Sequence, residues 1–135
     1  MSNYLDDSRA LRADEKKLCN CAQGVVVPFA ETAGIDREAA YRVAANFGGG
    51  MKRAATCGAV TGGLMALGLL GADDPATISE YHRRIKENHA GCLECADLLR
   101  INREQGGNKK EHCDGMVFEC VQLVEELLRE RGKIK

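Results

Sequence analysis

Seven cysteines in a chain of 135 residues are a heavy load, and their placement raises the first chemical question. Thiolates are the nucleophilic and metal-binding form of cysteine, and their pKa decides whether they form. Cys57 lies in Thr56-Cys57-Gly58-Ala59-Val60-Thr61-Gly62-Gly63, at the expected start of the most apolar helix. A helix start presents unpaired amides and a positive dipole end, so a lowered pKa is expected there. Cys21 follows Asn20, a plausible N-cap, and shares that advantage. Cys92-Leu-Glu-Cys95 is a Cys-x-x-Cys unit, close enough for a disulfide or one metal, and His89 extends it to His-x-x-Cys-x-x-Cys. Cys113 sits beside His112 at the expected start of the last helix.

The other cysteines carry weaker signals. Cys120 is seven residues beyond Cys113, inside an apolar stripe, where a small hydrophobe that only packs is the favoured reading. Cys19 reads as a free surface thiol, although Cys19-x-Cys21 would let two sulfurs reach one metal. His82 and His89, seven apart on a polar helix, read as solvated.

Glycines accompany the cysteines. Gly58 and Gly62 are four apart and share one helix face, a smooth groove for a backbone, a cofactor or another sulfur, although each glycine weakens the helix by roughly 1 kcal/mol against alanine. Gly48-Gly49-Gly50, near Lys52 and Arg53, offers amides to an anion. It lacks the Gly-Lys-Ser/Thr ending of a nucleotide loop, so a flexible connection is the favoured reading. Paired carboxylates and a serine-centred triad find no convincing set of residues.

The elements that must position these groups read as helices throughout, with no stretch of period-two alternation. A charged first helix is expected from Asp7-Ser8 to about Leu18, and a second from Asn20 to Ala33 with a kink at Pro28. A third follows the cap Asp36, with Ala39, Ala40, Val43, Ala44 and Phe47 inward. The apolar helix from about Thr56 to Leu70 comes next, then a polar one from Pro75 to about His89 with Ile78, Tyr81 and Ile85 inward. A short helix around Cys95 to Ile101 precedes the last, His112 to Arg131, whose inner face is Val117, Cys120, Val121, Val124, Leu127 and Leu128. The expected fold is an all-α irregular bundle of five to six helices, one domain over 1–135.

Composition bounds the function. Apolar residues make up 44% and charged residues 29%, a globular balance, and 19 basic against 20 acidic residues leave a net charge of −1. Nucleic acid is therefore not an expected partner. The longest apolar run, Ala54 to Ala72, is broken by glycines and threonines and falls short of a membrane span. With no cationic-then-apolar leader at its start, the chain reads as cytoplasmic, where cysteines at this density do redox work or bind metal.

The run Phe47-Gly48-Gly49-Gly50 followed by Thr56-Cys57-Gly58-Ala59-Val60-Thr61-Gly62 resembles the family of putative redox-active proteins named for its C…GCAxxG…C…C pattern. The resemblance extends from about Asn20 to Leu128. It assigns the family's four cysteines to Cys21, Cys57, Cys95 and Cys113, with Cys-Gly-Ala here where the family name has Gly-Cys-Ala. It implies a helical fold and a redox or cluster role, without a substrate.

Two functions are expected. The first is dithiol–disulfide exchange or electron transfer, that of a thiol oxidoreductase. Cys57 would be the activated thiolate, Cys95 or Cys92 its resolving partner, and Cys21 and Cys113 would complete the group, with a partner protein or small thiol as counterpart. The second is a four-thiolate site, Cys21, Cys57, Cys95 and Cys113, holding an iron–sulfur cluster or zinc. A helical interaction domain with incidental cysteines is the plain alternative, and a homodimer is left open by the apolar helix faces. All the chemical readings require sulfurs distant in sequence to meet in one pocket.

Overall fold

The computed structural model describes residues 3–135, and among these there is no β-strand. Seven α-helices follow in order: α1 (Asn3–Ala13), α2 (Cys21–Val26), α3 (Arg37–Ala44), α4 (Gly58–Leu69), α5 (Pro75–Asn88), α6 (Cys95–Glu104) and α7 (Lys109–Glu130). The all-α expectation holds. The seven helices exceed the expected five to six, each lying on one of the helical segments read from the sequence.

Local chemistry explains most boundaries. The Asn20 side chain accepts from the Gln23 amide at 2.8 Å, and the Gln23 side chain accepts from the Asn20 amide at 2.9 Å, a complete capping box before α2. Asp36 and Asp74 cap α3 and α5 in the same way, through the amides of Ala39 and Thr77. Pro28 has no N–H to offer, so α2 stops at Val26 and the chain tightens into a 3-10 turn at Val27–Phe29, where the kink was expected.

Three boundaries differ from the reading of the sequence. Helix α1 starts earlier and ends at Ala13, leaving Leu18 84% exposed. Ser8 is no cap: it lies buried within α1 and donates to the Gly24 carbonyl at 2.7 Å, tying α1 to α2. Helix α7 starts at Lys109, capped by Asn108, three residues before the expected start. On α3 the inward residues are Ala40, Tyr41 and Ala44, while Val43 is 64% exposed.

The core is organised around α4 and α7. Helix α4 packs against α2 on one side and α7 on another, and α7 runs on to meet α1, α5 and α6. The stripe expected on α7 is fully buried from Val117 to Leu128. On α5, Tyr81 is buried and donates its hydroxyl to the Val60 carbonyl of α4 at 2.8 Å. Gly63 makes room for it, since a Cβ there would lie 1.9 Å from the Tyr81 oxygen.

The α2–α4 contact is closer than side chains allow. A Cβ on Gly62 would stand 2.5 Å from the Ala22 carbonyl oxygen, and one on Gly58 2.7 Å from the Phe47 carbonyl oxygen. The groove expected from Gly58 and Gly62 is thus filled by the chain's own backbone. No space is left there for a cofactor.

Gly62→Ala should lower unfolding stability in urea by about 2 kcal/mol or more, overpacking outweighing the ~1 kcal/mol gain in helix propensity. Gly68→Ala, where a Cβ meets nothing within 4 Å, should raise stability by up to about 1 kcal/mol. Equal effects at the two positions would contradict the close-packing account.

Candidate functional site

The four cysteines Cys21, Cys57, Cys95 and Cys113 line one cavity of about 620 Å³. Their meeting is built from the backbone outwards. Cys21 is the first residue of α2, behind the Asn20 cap. Asn20 also donates to the carbonyls of Ala44 and Ala45 at 3.2 and 3.1 Å, so one side chain closes the end of α3 and starts the helix that carries Cys21.

Cys57 is the N-cap of α4 and Cys95 the first residue of α6. A single antiparallel bridge, Thr56 to Glu94, joins these two helix starts. The Cys57 amide donates to the Leu93 carbonyl at 2.8 Å and the Cys95 amide to the Ala55 carbonyl at 2.6 Å. Cys57 and Cys95 therefore lie on the same side of the bridge, in the diagonal relation that sets residues roughly 7–8 Å apart.

Before this bridge the chain makes a turn of left-handed helix. Gly49, Gly50, Met51 and Lys52 all have φ near +60°, and Ala54 joins them at +56°. Left-handed backbone costs a non-glycine residue roughly 1–2 kcal/mol. Gly50 is required for a second reason: a Cβ there would sit 2.6 Å from the Ala55 backbone and 2.9 Å from the Cys95 Cβ. Gly50 is therefore a packing position rather than an anion cradle, whereas Gly49 is exposed and lines the cavity.

Cys113 lies in the second turn of α7, not at its start, because α7 begins at Lys109. Its thiol lies close enough to the Cys21 thiol for the two to interact, and that interaction is the largest influence on either group: it favours the Cys113 thiolate, with its pKa brought to about 6 despite burial, and holds the proton on Cys21, whose pKa is raised. Arg12 and Lys109 add positive charge beside Cys113. The two sulfurs titrate as a pair, giving up one proton readily and the second with difficulty.

The pKa expected for Cys57 is corrected. Its thiolate would be met by the amides of Val60 and Ala59, as its place at a helix start implies, but burial outweighs them and raises its pKa. Cys95 is also raised by burial, and the neighbouring Cys113 adds to this. A helix start alone does not ionise a buried thiol.

The remaining candidates lie elsewhere. Cys92 is absent from the cavity lining and turns its sulfur toward the Ala90 carbonyl, 3.7 Å away. Cys19 is half-buried rather than on the open surface, and burial pushes its pKa up to about 11. Cys120 is fully buried beside Tyr81, with its thiol pushed upward by burial, as a packing residue would be. His89 is not free in solvent: its Nε2 lies 2.8 Å from Glu119 Oε1.

The four-thiolate metal site does not fit this arrangement. Among the described residues, no group of three or more His, Cys, Asp or Glu side chains is placed to hold a metal ion.

Arg12 escaped the reading of the sequence. It lines the cavity from α1, donates to Asp114 Oδ1 at 2.8 Å, and donates to the Cys19 carbonyl at 2.6 Å. Nothing in the charged N-terminal helix distinguishes it from Arg9, because its role depends on a partner 102 residues away.

No helix among the described residues is long and apolar enough to cross a membrane. Comparisons with curated proteins and with solved structures give no match. The profile of one protein family, described as "Putative redox-active protein (C_GCAxxG_C_C)", matches residues 19–127. That span includes all four cavity cysteines and the glycines that seat them, and the chain belongs to this redox-active cysteine family.

Proposed function

We propose that the protein is a dithiol–disulfide exchange protein whose reactive pair is Cys113 and Cys21. The observation that carries this reading is that Cys21 and Cys113 line one accessible cavity as an interacting pair of thiols, their interaction favouring the thiolate on Cys113 and the proton on Cys21. Exchange needs a thiolate to attack and a second thiol to resolve the mixed disulfide. Cys113 supplies the first and Cys21 the second.

The step balances simply. The Cys113 thiolate attacks one sulfur of a substrate disulfide, and the other substrate sulfur leaves as a thiolate. Cys21 loses its proton and attacks Cys113 Sγ in the mixed disulfide, releasing the second substrate sulfur. Two electrons and one proton pass to the substrate, which ends as one thiol and one thiolate, and the protein keeps a Cys21–Cys113 disulfide. Cys57 and Cys95 remain as thiols beside the pair, and reopening the Cys21–Cys113 disulfide takes an external dithiol that is itself oxidised to a disulfide. This assignment moves the attacking role from Cys57 to Cys113, on the grounds of burial.

Brief treatment of the reduced protein with diamide, followed by peptide mass mapping, should give a Cys21–Cys113 disulfide reversible by dithiothreitol. An oxidised protein without a Cys21–Cys113 disulfide would overturn the proposal.

The pH dependence follows from the lowered Cys113 pKa. The thiolate is present above pH 6 and is lost as pH falls through about 6, so iodoacetamide should label one fast thiol with a rate midpoint near pH 6. Cys21→Ala removes the interaction that favours the thiolate. It should move that midpoint upward by about one unit or more, and an unchanged midpoint would show that Cys21 does not activate Cys113.

A further inference from the structure

The charge around the thiol cavity is one-sided. Arg12, Lys109, Lys110 and His112 contribute to its lining, its apolar wall comes from Leu98, Leu99 and Met116, and no Asp or Glu lines it. This contrasts with the whole chain, whose net charge is −1. One carboxylate, Asp114, is shared between Arg12 at 2.8 Å and Lys110 at 2.9 Å. Lys109 makes no ion pair among the described residues, is exposed, and acts electrostatically on both Cys95 and Cys113. Three full cations thus face one carboxylate and one thiolate. Positive charge is left over at the mouth in the reduced state, and more of it once Cys113 is in a disulfide.

We propose that this cavity selects a small disulfide bearing carboxylates as the exchange substrate, with Lys109 and Arg12 receiving its negative groups. The inference rests on the exchange reading above and names its substrate class. A lined cavity of about 620 Å³ is of the size that encloses a small molecule. Low-dielectric walls with one sign of charge raise the local concentration of an oppositely charged ligand. The same cations lie where the departing substrate sulfur carries negative charge, so they assist the step that breaks the substrate disulfide. Overall, RS–SR and the reduced pair become the Cys21–Cys113 disulfide, RS⁻ and RSH.

The test uses three disulfides of similar size: 3,3′-dithiodipropionate (anionic), bis(2-hydroxyethyl) disulfide (neutral) and cystamine (cationic). Each is reacted with the reduced protein, and Cys21–Cys113 formation is timed. At low salt the anionic reagent should react at least about tenfold faster than the cationic one after correction for their reactivity with a free thiol, and the ratio should approach one near 1 M salt. Lys109→Glu, at the exposed first position of α7, should lower the anionic-to-neutral ratio about tenfold and raise the cationic-to-neutral ratio. Dividing by the neutral rate removes any effect on the Cys113 thiolate itself. Lys109→Gln gives an intermediate check, and circular dichroism verifies folding. A ratio near one, or one indifferent to residue 109, would show that the cations serve only the protein's own thiolate and overturn the proposal. So would rapid reaction confined to protein-borne disulfides. Absence of a Cys21–Cys113 disulfide with every reagent would instead sink the exchange reading beneath it.

Discussion

The close approach of α2 to α4 is the contact on which the site depends. Ala22 lies against Gly62 at a distance that leaves no room for a Cβ, and Cys21 lies beside Gly58, where the Phe47 carbonyl excludes one. Wider separation of these helices would carry Cys21 away from Cys57 at the start of α4. The glycines weaken α4 as an isolated helix, each by about 1 kcal/mol against alanine. Burial of Val25, Val26, Val60 and Leu67 around the contact works in the other direction, with an apolar side chain contributing roughly 1.5–3 kcal/mol when fully buried. Helix α4 is therefore stable because of what surrounds it, consistent with the apolar character of nearly its whole circumference.

The same burial decides which sulfur ionises. A helix terminus stabilises a nearby negative charge by typically 0.3–1 kcal/mol, and up to about 2 in favourable geometry. Removing a charge from water costs more than that unless partners replace the solvent. Cys57 receives two helix-start amides and still has a raised pKa because it is buried. Cys113 has no helix start, but it combines a neighbouring thiol with two cations and partial access to solvent, and its pKa falls. Which thiols ionise readily thus follows desolvation and local charges more than position along a helix.

Helix periodicity and cap residues were legible in the chain because both are local. Asn20, Asp36 and Asp74 cap where their side-chain chemistry says they should, and the α7 stripe is buried as its spacing implies. The four cavity cysteines were legible through their family pattern and their placement near helix starts. The pairing of Cys21 with Cys113 was not, since it depends on how α2 and α7 cross, a matter of packing rather than sequence interval. Arg12 was hidden for the same reason. The early start of α7 was missed because Lys109-Lys110-Glu111 has no apolar residue to mark a face, although Asn108 is a good cap by type.

A common device links the cysteines that the fold gathers. Gly48 lets Asn20 close in, with a hypothetical Cβ only 2.5 Å from the Asn20 Cβ, and Asn20 seats Cys21. Gly58 stands 3.3 Å, by the same measure, from the Cys21 Cβ, and Gly50 2.9 Å from the Cys95 Cβ. Each of these cysteines thus packs its Cβ against a stretch of backbone that carries no side chain. Gly50 carries a further requirement, because it belongs to the left-handed turn that leads into the Thr56–Glu94 bridge. A Cβ there would both strain the turn and push Cys95 off its seat. The glycines of this chain are accordingly part of the cavity's construction: they let the segments that carry Cys21 and Cys95 pack closely, and the charges from α1 and α7 then favour the thiolate on Cys113.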